Sequence, residues 1–305
     1  MLKQRLLLGP VLILLLVGGI WLDGWLDRQR MPDWLGQIFP GHRDYPPGVI
    51  VFIVVLALSF VAARELVKIL RDKGIQASMR LCCASAMIGL AVSCLVPTEF
   101  KGEHSATIVS SAAALVLVIS LAFYSRRQKF EGVIAATGGT LLAFVYLGLM
   151  FGFIPAIRRE HSAWILLWIL VTAKSCDIGA YFTGKAIGKH KLIPWLSPGK
   201  TWEGLVGGVI FAAAVGAFGV EVLREYGHTS MPTWQWGALA GVLFALVAQM
   251  GDLMASLLKR DAGVKDAGKI LPGFGGMLDV IDSPLLVAPV AYWWLRVVVH
   301  HVTPE

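Results

Sequence analysis

The stretch GGMLDVIDSPLL, Gly275 to Leu286, sets Asp279 and Asp282 at the doorstep of an apolar run. Three residues apart, two carboxylates share one face of a helix. The run that follows, Ser283–Val299, carries one charge, Arg296, and is about long enough to cross a hydrocarbon core. Reading it as a membrane span decides the fold class. It also puts two acids where acids are most costly, and the reason lies elsewhere in the chain.

Of the 305 residues, 56% are hydrophobic and 15% charged, where soluble domains carry about 25% charged residues. Mean hydropathy is +0.69. Six long stretches hold no charge at all: Leu6–Leu22, Pro47–Ala63, Leu81–Pro97, Ser105–Ser125, Gly132–Ile157 and Gly204–Val220. Ser162–Phe182 is interrupted by Lys174 and Asp177, and Trp236–Leu258 by Asp252. With Ser283–Val299 these make nine spans. The expected fold is an all-α polytopic membrane protein, with generic membrane helices over residues 1–160 and a catalytic membrane region over 161–305.

Lys3 and Arg5 precede the first apolar run, as in a signal peptide, but GGIWLDGWLD offers no small-residue cleavage site. A retained anchor is expected. Nine spans put the termini on opposite sides. The N-terminal side collects 18 Lys and Arg, the other side 8, and Lys174 lies within a span. Positive charge stays inside, so the N-terminus is expected in the cytoplasm and the C-terminus outside. No connection is long enough for a soluble domain. Cys82, Cys83, Cys94 and Cys176 form no CxxC pair and read as core thiols. The net charge of +7 suits anionic lipid headgroups, and nucleic acid is not an expected partner.

The costly polar residues gather where spans six and eight end and spans seven and nine begin. Lys174, Asp177 and Tyr181 follow i, i+3, i+7 on one face, and Lys185, Lys189, His190 and Lys191 come next. In LSPGKTWEGLVGG, Ser197 and Pro198 read as an N-cap and a first-turn proline, with Lys200 and Thr201 beside a helix start that suits an anion. Glu203 is either a first-turn acid or a site residue. Asp252, Ser256 and Lys259 are i, i+4, i+7, within a stripe about 60° wide. Arg260 lies beside Lys259 at the helix end.

The loop GVKDAGKI matches the start of a phosphate-binding P-loop, but Ile270 stands where its hydroxyl residue belongs, and no βαβ context surrounds it. Lys265 and Lys269 can still meet phosphate as point charges, with Asp266 as a metal ligand or a counter-charge. Gly273, Gly275 and Gly276 lead into Asp279 and Asp282. Like charges at a helix mouth repel, and a shared cation removes that cost. Mg²⁺ binds through one or two carboxylates plus substrate phosphate. A cation seat among Lys, Arg and Ser suits phosphoryl or nucleotidyl transfer, which is mostly positioning and charge neutralisation.

The run SLLKRDAGVKDAGKILPGFGGMLDVIDS resembles the signature of the phosphatidate cytidylyltransferase (CDP-diacylglycerol synthase) family, S-x-x-K-R-x4-K-D-x-G-x2-L-P-G-H-G-G-x-x-D-R-x-D. Ser256, Lys259, Arg260, Lys265, Asp266, Gly268, Pro272, Gly273, Gly275, Gly276, Asp279 and Asp282 fall on it in register. Upstream, DIGAYFTGKAIGKHKLIPWLSPGKTWEGLVGG is similar to the family's second block. Phe274 and Val280 depart from the family's His and Arg. The match covers about the C-terminal 130 residues.

The resemblance implies transfer of a cytidylyl group from CTP to phosphatidate, giving CDP-diacylglycerol and pyrophosphate for phospholipid biosynthesis, with Mg²⁺ required. It implies Asp252, Asp279 and Asp282 at the metal. Lys259, Ser256, Arg260 and Lys265 would hold phosphates, and Lys200, Thr201, Glu203 and Asp177 would complete the pocket. A homodimer in the cell inner membrane, with its site facing the cytoplasm, is the assembly it suggests. The rival readings are transfer to another lipid phosphate, a cation or lipid transporter, and a degenerate member with a scaffolding role.

Overall fold

The structure, a computed structural model, describes residues 2–32, 44–99, 103–126, 131–228, 230–268, 270–273 and 275–299. Among them, nine helical segments are long and apolar enough to cross a membrane, as predicted. The first four spans are α1 (Leu2–Leu26), α2 (Val49–Asp72), α3 (Met79–Glu99) and α4 (Glu103–Ser125). The fifth is compound: α5 (Val133–Leu142) runs into a π-helical stretch, Ala143–Leu149, and α6 (Phe153–Glu160) completes it. Then come α7 (Ala163–Ile187), α8 (Trp202–Glu225), α9 (Trp234–Asp261) and α10 (Leu278–Trp294), which continues as a π-helix over Leu295–Val299.

The outward face is apolar. Leu14 is 71% exposed and Phe218 72%, an arrangement that water would penalise and lipid tails match. Between the helices the interior depends on small residues that let backbones approach. A Cβ on Gly148 would meet the Ala86 carbonyl oxygen at 2.6 Å, so α3 lies directly against the π-helical stretch. Trp168, Phe244 and Trp294 bring α7, α9 and α10 together, with ring centroids 5.6, 5.9 and 6.2 Å apart. Such offset and tilted pairs favour one packing over its alternatives.

The end of the bundle where α1 finishes and α2 begins is locked by buried charge. Asp23 of α1 accepts hydrogen bonds from the Ile50 and Val51 N–H groups at 2.9 and 3.1 Å, which caps α2. Arg158 of α6 pairs with Asp23 at 2.6 Å and with Asp27. The donors of α2 have no intrahelical partner, so a carboxylate from another helix satisfies them.

One expectation fails at the entry to α8. Ser197 is not its N-cap. Lys191–Ile193 (β1) and Ser197–Thr201 (β2) form an antiparallel hairpin, pairing Lys191 with Thr201 and Ile193 with Ser197. A proline pushes the residue before it into extended backbone, and Ser197 precedes Pro198. The cap moves to Thr201, whose Oγ1 accepts from the Gly204 N–H at 3.1 Å.

Candidate active site

α9 and α10 cross where α9 has no side chain. A Cβ on Gly251 would meet the Asp282 carbonyl oxygen at 2.5 Å. That close approach sets Asp252 of α9 and Asp282 of α10 facing each other, each in the other's field. Asp282 is 4% exposed. Two lysines bracket the pair. Lys200, from the end of the hairpin, pairs with Asp252. Lys174 of α7 stands 3.7 Å from Asp282, 3.4 Å from Asp177 and 3.4 Å from the Ser283 hydroxyl. Lys174 and Asp177 thus form a helix pair at i, i+3, and Lys174 also serves the carboxylate pair.

Asp279 does something else. Its Oδ1 meets Lys259 Nζ at 2.5 Å, and its Oδ2 accepts from Ala267 N at 3.0 Å and Gly276 N at 2.8 Å. It folds the loop after α9 back onto α9. Gly275 has φ of +99°, and a Cβ there would meet Asp279 Oδ2 at 2.5 Å, so this turn requires glycine. Among the described residues no group of three or more His, Cys, Asp or Glu side chains is arranged to hold a metal ion. Of the expected trio, Asp252 and Asp282 face each other, and Asp279 is held by Lys259 and two backbone donors.

Two residues in the spans read as generic reach this site. Glu65 of α2 is buried and accepts from Met277 N at 2.9 Å and Leu278 N at 2.8 Å. It caps α10, the helix that carries both Asp279 and Asp282. Its signal was an acid just past the apolar run of span two. Tyr146 of the π-helical stretch is buried, its hydroxyl has no hydrogen-bond partner, and it lies in the field of Asp282 and Asp252. Short π-helical insertions recur at functional sites. Span five contains no charge, so nothing in its sequence marked Tyr146.

The other predicted residues take distinct places. Glu203 accepts from His190 Nδ1 at 2.6 Å and from the Lys189 and His190 N–H groups at 3.2 Å, tying down the turn before the hairpin. Ser256 stands half-buried beyond Asp252 on α9, and Ser197 half-buried on β2. Arg260 is exposed and donates to the Val264 carbonyl at 3.4 Å. Lys265 and Asp266 are exposed on the loop. Lys269 and Phe274 lie outside the described residues. A cleft of about 200 Å³ opens beside Lys200, with Asp177, Tyr181, Thr201, Leu205 and Gln249 among its walls.

Carboxylates facing each other between lysines, next to a cleft, could hold a cation beside a multiply charged anion. A family model described as the cytidylyltransferase family matches residues 39–298. The chain belongs to that family. It is 32% identical over 247 residues to the phosphatidate cytidylyltransferase of Bacillus subtilis (strain 168), covering 80% of this chain and 87% of that protein. It is 37% identical over 189 residues to the phosphatidate cytidylyltransferase of Haemophilus influenzae, 58% of this chain and 62% of that one. An uncharacterized Escherichia coli (strain K12) protein, YnbB, is 41% identical over 143 residues, 47% of this chain and 46% of that one. The matched region of this cytidylyltransferase-family chain takes in Glu65, Tyr146 and every predicted site residue.

Proposed function

We propose that this protein transfers the cytidylyl group of CTP to phosphatidate, forming CDP-diacylglycerol and pyrophosphate. The observation that carries it is the Asp252–Asp282 pair, bracketed by Lys200 and Lys174, in a chain whose relatives bear that activity in their names. The chemistry faces the cytoplasm at the inner membrane. Its support is the charge asymmetry of 18 Lys and Arg against 8. The homodimer belongs to the same reading and is tested by the mass of the particle in lipid discs.

The donor set fits Mg²⁺. Two carboxylates of one site repel, and the unpartnered Tyr146 hydroxyl beside them leaves polar capacity unused. Asp252 and Asp282 would hold the ion, with Asp279 one turn away on α10. When bound, such an ion neutralises charge developing on the phosphates.

The chain's own residues position the rest. Lys200 and Lys174 neutralise the carboxylates and remain within reach of phosphate. Lys259, held by Asp279, adds positive charge near the cytoplasmic end of α9. An oxygen of the phosphatidate phosphate attacks the α-phosphorus of CTP. The new P–O bond forms as the bond to the β-phosphate oxygen breaks, and pyrophosphate leaves toward water. The attacking group is already an anion, so no side-chain base is required.

The test is pyrophosphate release from CTP by the purified protein, with and without phosphatidate and Mg²⁺, beside Asp282→Asn. Release that needs lipid and metal and disappears in the variant supports the reading. Transfer to another lipid phosphate is the second reading, and Val280 on α10, where the family pattern has Arg, favours including other acceptors. Turnover with one of those alone would replace phosphatidate as the acceptor.

A further inference from the structure

We propose that the cleft beside Lys200 receives the pyrimidine ring of the nucleotide, that Gln249 there holds the ring, and that Asp177 distinguishes cytosine from uracil. This rests on the CTP reading and deepens it.

Size limits the occupant. Pockets for drug-sized ligands begin at about 300 Å³, and this cleft is about 200 Å³. It has room for one ring, not for a triphosphate or a diacyl lipid. Position orients that ring. Lys200 lines the cleft and pairs with Asp252, so a nucleotide with its base in the cleft extends its phosphates toward the carboxylate pair.

The lining chemistry then selects the group. Asp177 is the one acid among the lining residues, and Lys174 stands 3.4 Å from its Oδ2. A carboxylate only accepts hydrogen bonds. It repels phosphate and suits an N–H donor, which argues against a lipid headgroup in the cleft. Gln249 supplies the complement. It is 8% exposed, and its Nε2 has no hydrogen-bond partner. A buried donor left unpaired is costly, and a ring acceptor in the cleft would satisfy it. Tyr181 presents an exposed ring as one flat wall.

Cytosine offers this pattern: its N4 amine donates, as to Asp or Glu in base recognition, while N3 and O2 accept. Uracil reverses the first two positions. Its O4 would face the Asp177 carboxylate, which has no proton to donate, so that contact does not form. The Gln249 amide can turn its N–H to N3 of cytosine or its carbonyl to N3–H of uracil, so it holds either ring and Asp177 makes the distinction.

The experiment measures kcat and KM with CTP, UTP and dCTP, phosphatidate saturating, for full-length protein in lipid discs. It compares wild type with Asp177→Asn and Gln249→Leu, and thermal unfolding checks that each variant is folded. An asparagine amide can turn its N–H toward O4. Asp177→Asn should lower the CTP-to-UTP ratio of kcat/KM tenfold or more, mainly through KM, and leave the CTP-to-dCTP ratio unmoved. Gln249→Leu should raise KM for CTP and UTP alike, leaving the CTP-to-UTP ratio in place. A shift in the dCTP ratio instead would put the ribose in the cleft and overturn the proposal. Equal losses with all nucleotides in Asp177→Asn would also overturn it, as would an unchanged KM for CTP in Gln249→Leu. If wild type turns over CTP and the ratios stay fixed, only this inference fails. If wild type does not turn over CTP, the cytidylyltransferase reading fails with it.

Discussion

The carboxylate of Glu65 caps the helix that begins at Leu278, 213 residues further along the chain. Its two oxygens accept from successive N–H groups, Met277 at 2.9 Å and Leu278 at 2.8 Å. The first turn of that helix carries Asp279, and the next carries Asp282. A distant span therefore sets the start of the helix that carries both acids.

Glu65→Ala leaves two donors at the start of α10 without a partner. The expected cost is about 1.5–3 kcal/mol, the range for hydrogen bonds to a charged group. Activity should fall with stability, because α10 positions both acids. Glu65→Gln, which retains one acceptor, should lose less of each. Thermal unfolding in detergent and pyrophosphate release read the two together.

Asp282→Asn should separate function from stability. It removes one of two facing like charges, and Lys174 keeps Asp177 as a partner at 3.4 Å. The melting temperature should hold or rise. Turnover should drop by on the order of 10²-fold or more, as when one preorganised electrostatic contact to the reacting group is lost. A falling melting temperature with activity intact would make Asp282 structural.

Tyr146→Phe tests the unpartnered hydroxyl. No hydrogen bond is lost, and burying an unsatisfied hydroxyl costs roughly 1–3 kcal/mol, so the variant should be as stable or more so. If the hydroxyl meets the bound substrates, kcat/KM falls about tenfold, or about 1.4 kcal/mol of transition-state stabilisation. Unchanged kcat/KM would remove Tyr146 from the site.

Arg158→Met addresses the opposite end. It strands Asp23 and Asp27, and breaking a buried ion pair from one side costs about 3–5 kcal/mol. Unfolding should shift strongly downward, while turnover per folded molecule stays near wild type. A fall in turnover at fixed folding would couple the two ends of the bundle.

The spans were legible in the sequence because hydrophobicity over a membrane's thickness is a local quantity. Leu6–Leu22 became Leu2–Leu26, and Ser162–Phe182 became Ala163–Ile187, with only the polar ends redrawn. Asp252 and Asp282 were also legible, since an acid in an apolar run is conspicuous by itself. Ser197 misled because a capping residue before proline has the same local pattern in a hairpin as at a helix start, and pairing with Ile193 decides between them.

What the chain determined by itself was therefore the fold class, the nine spans and the types of residue gathered in the last four. Tertiary structure decided which of those residues meet. Gly251 brings Asp252 to Asp282, Lys259 draws Asp279 aside, and Glu65 and Tyr146 join from spans that carry no signature. The physical reason is distance. Span formation depends on about twenty consecutive residues, whereas a carboxylate's partner depends on which helices cross, and at what depth.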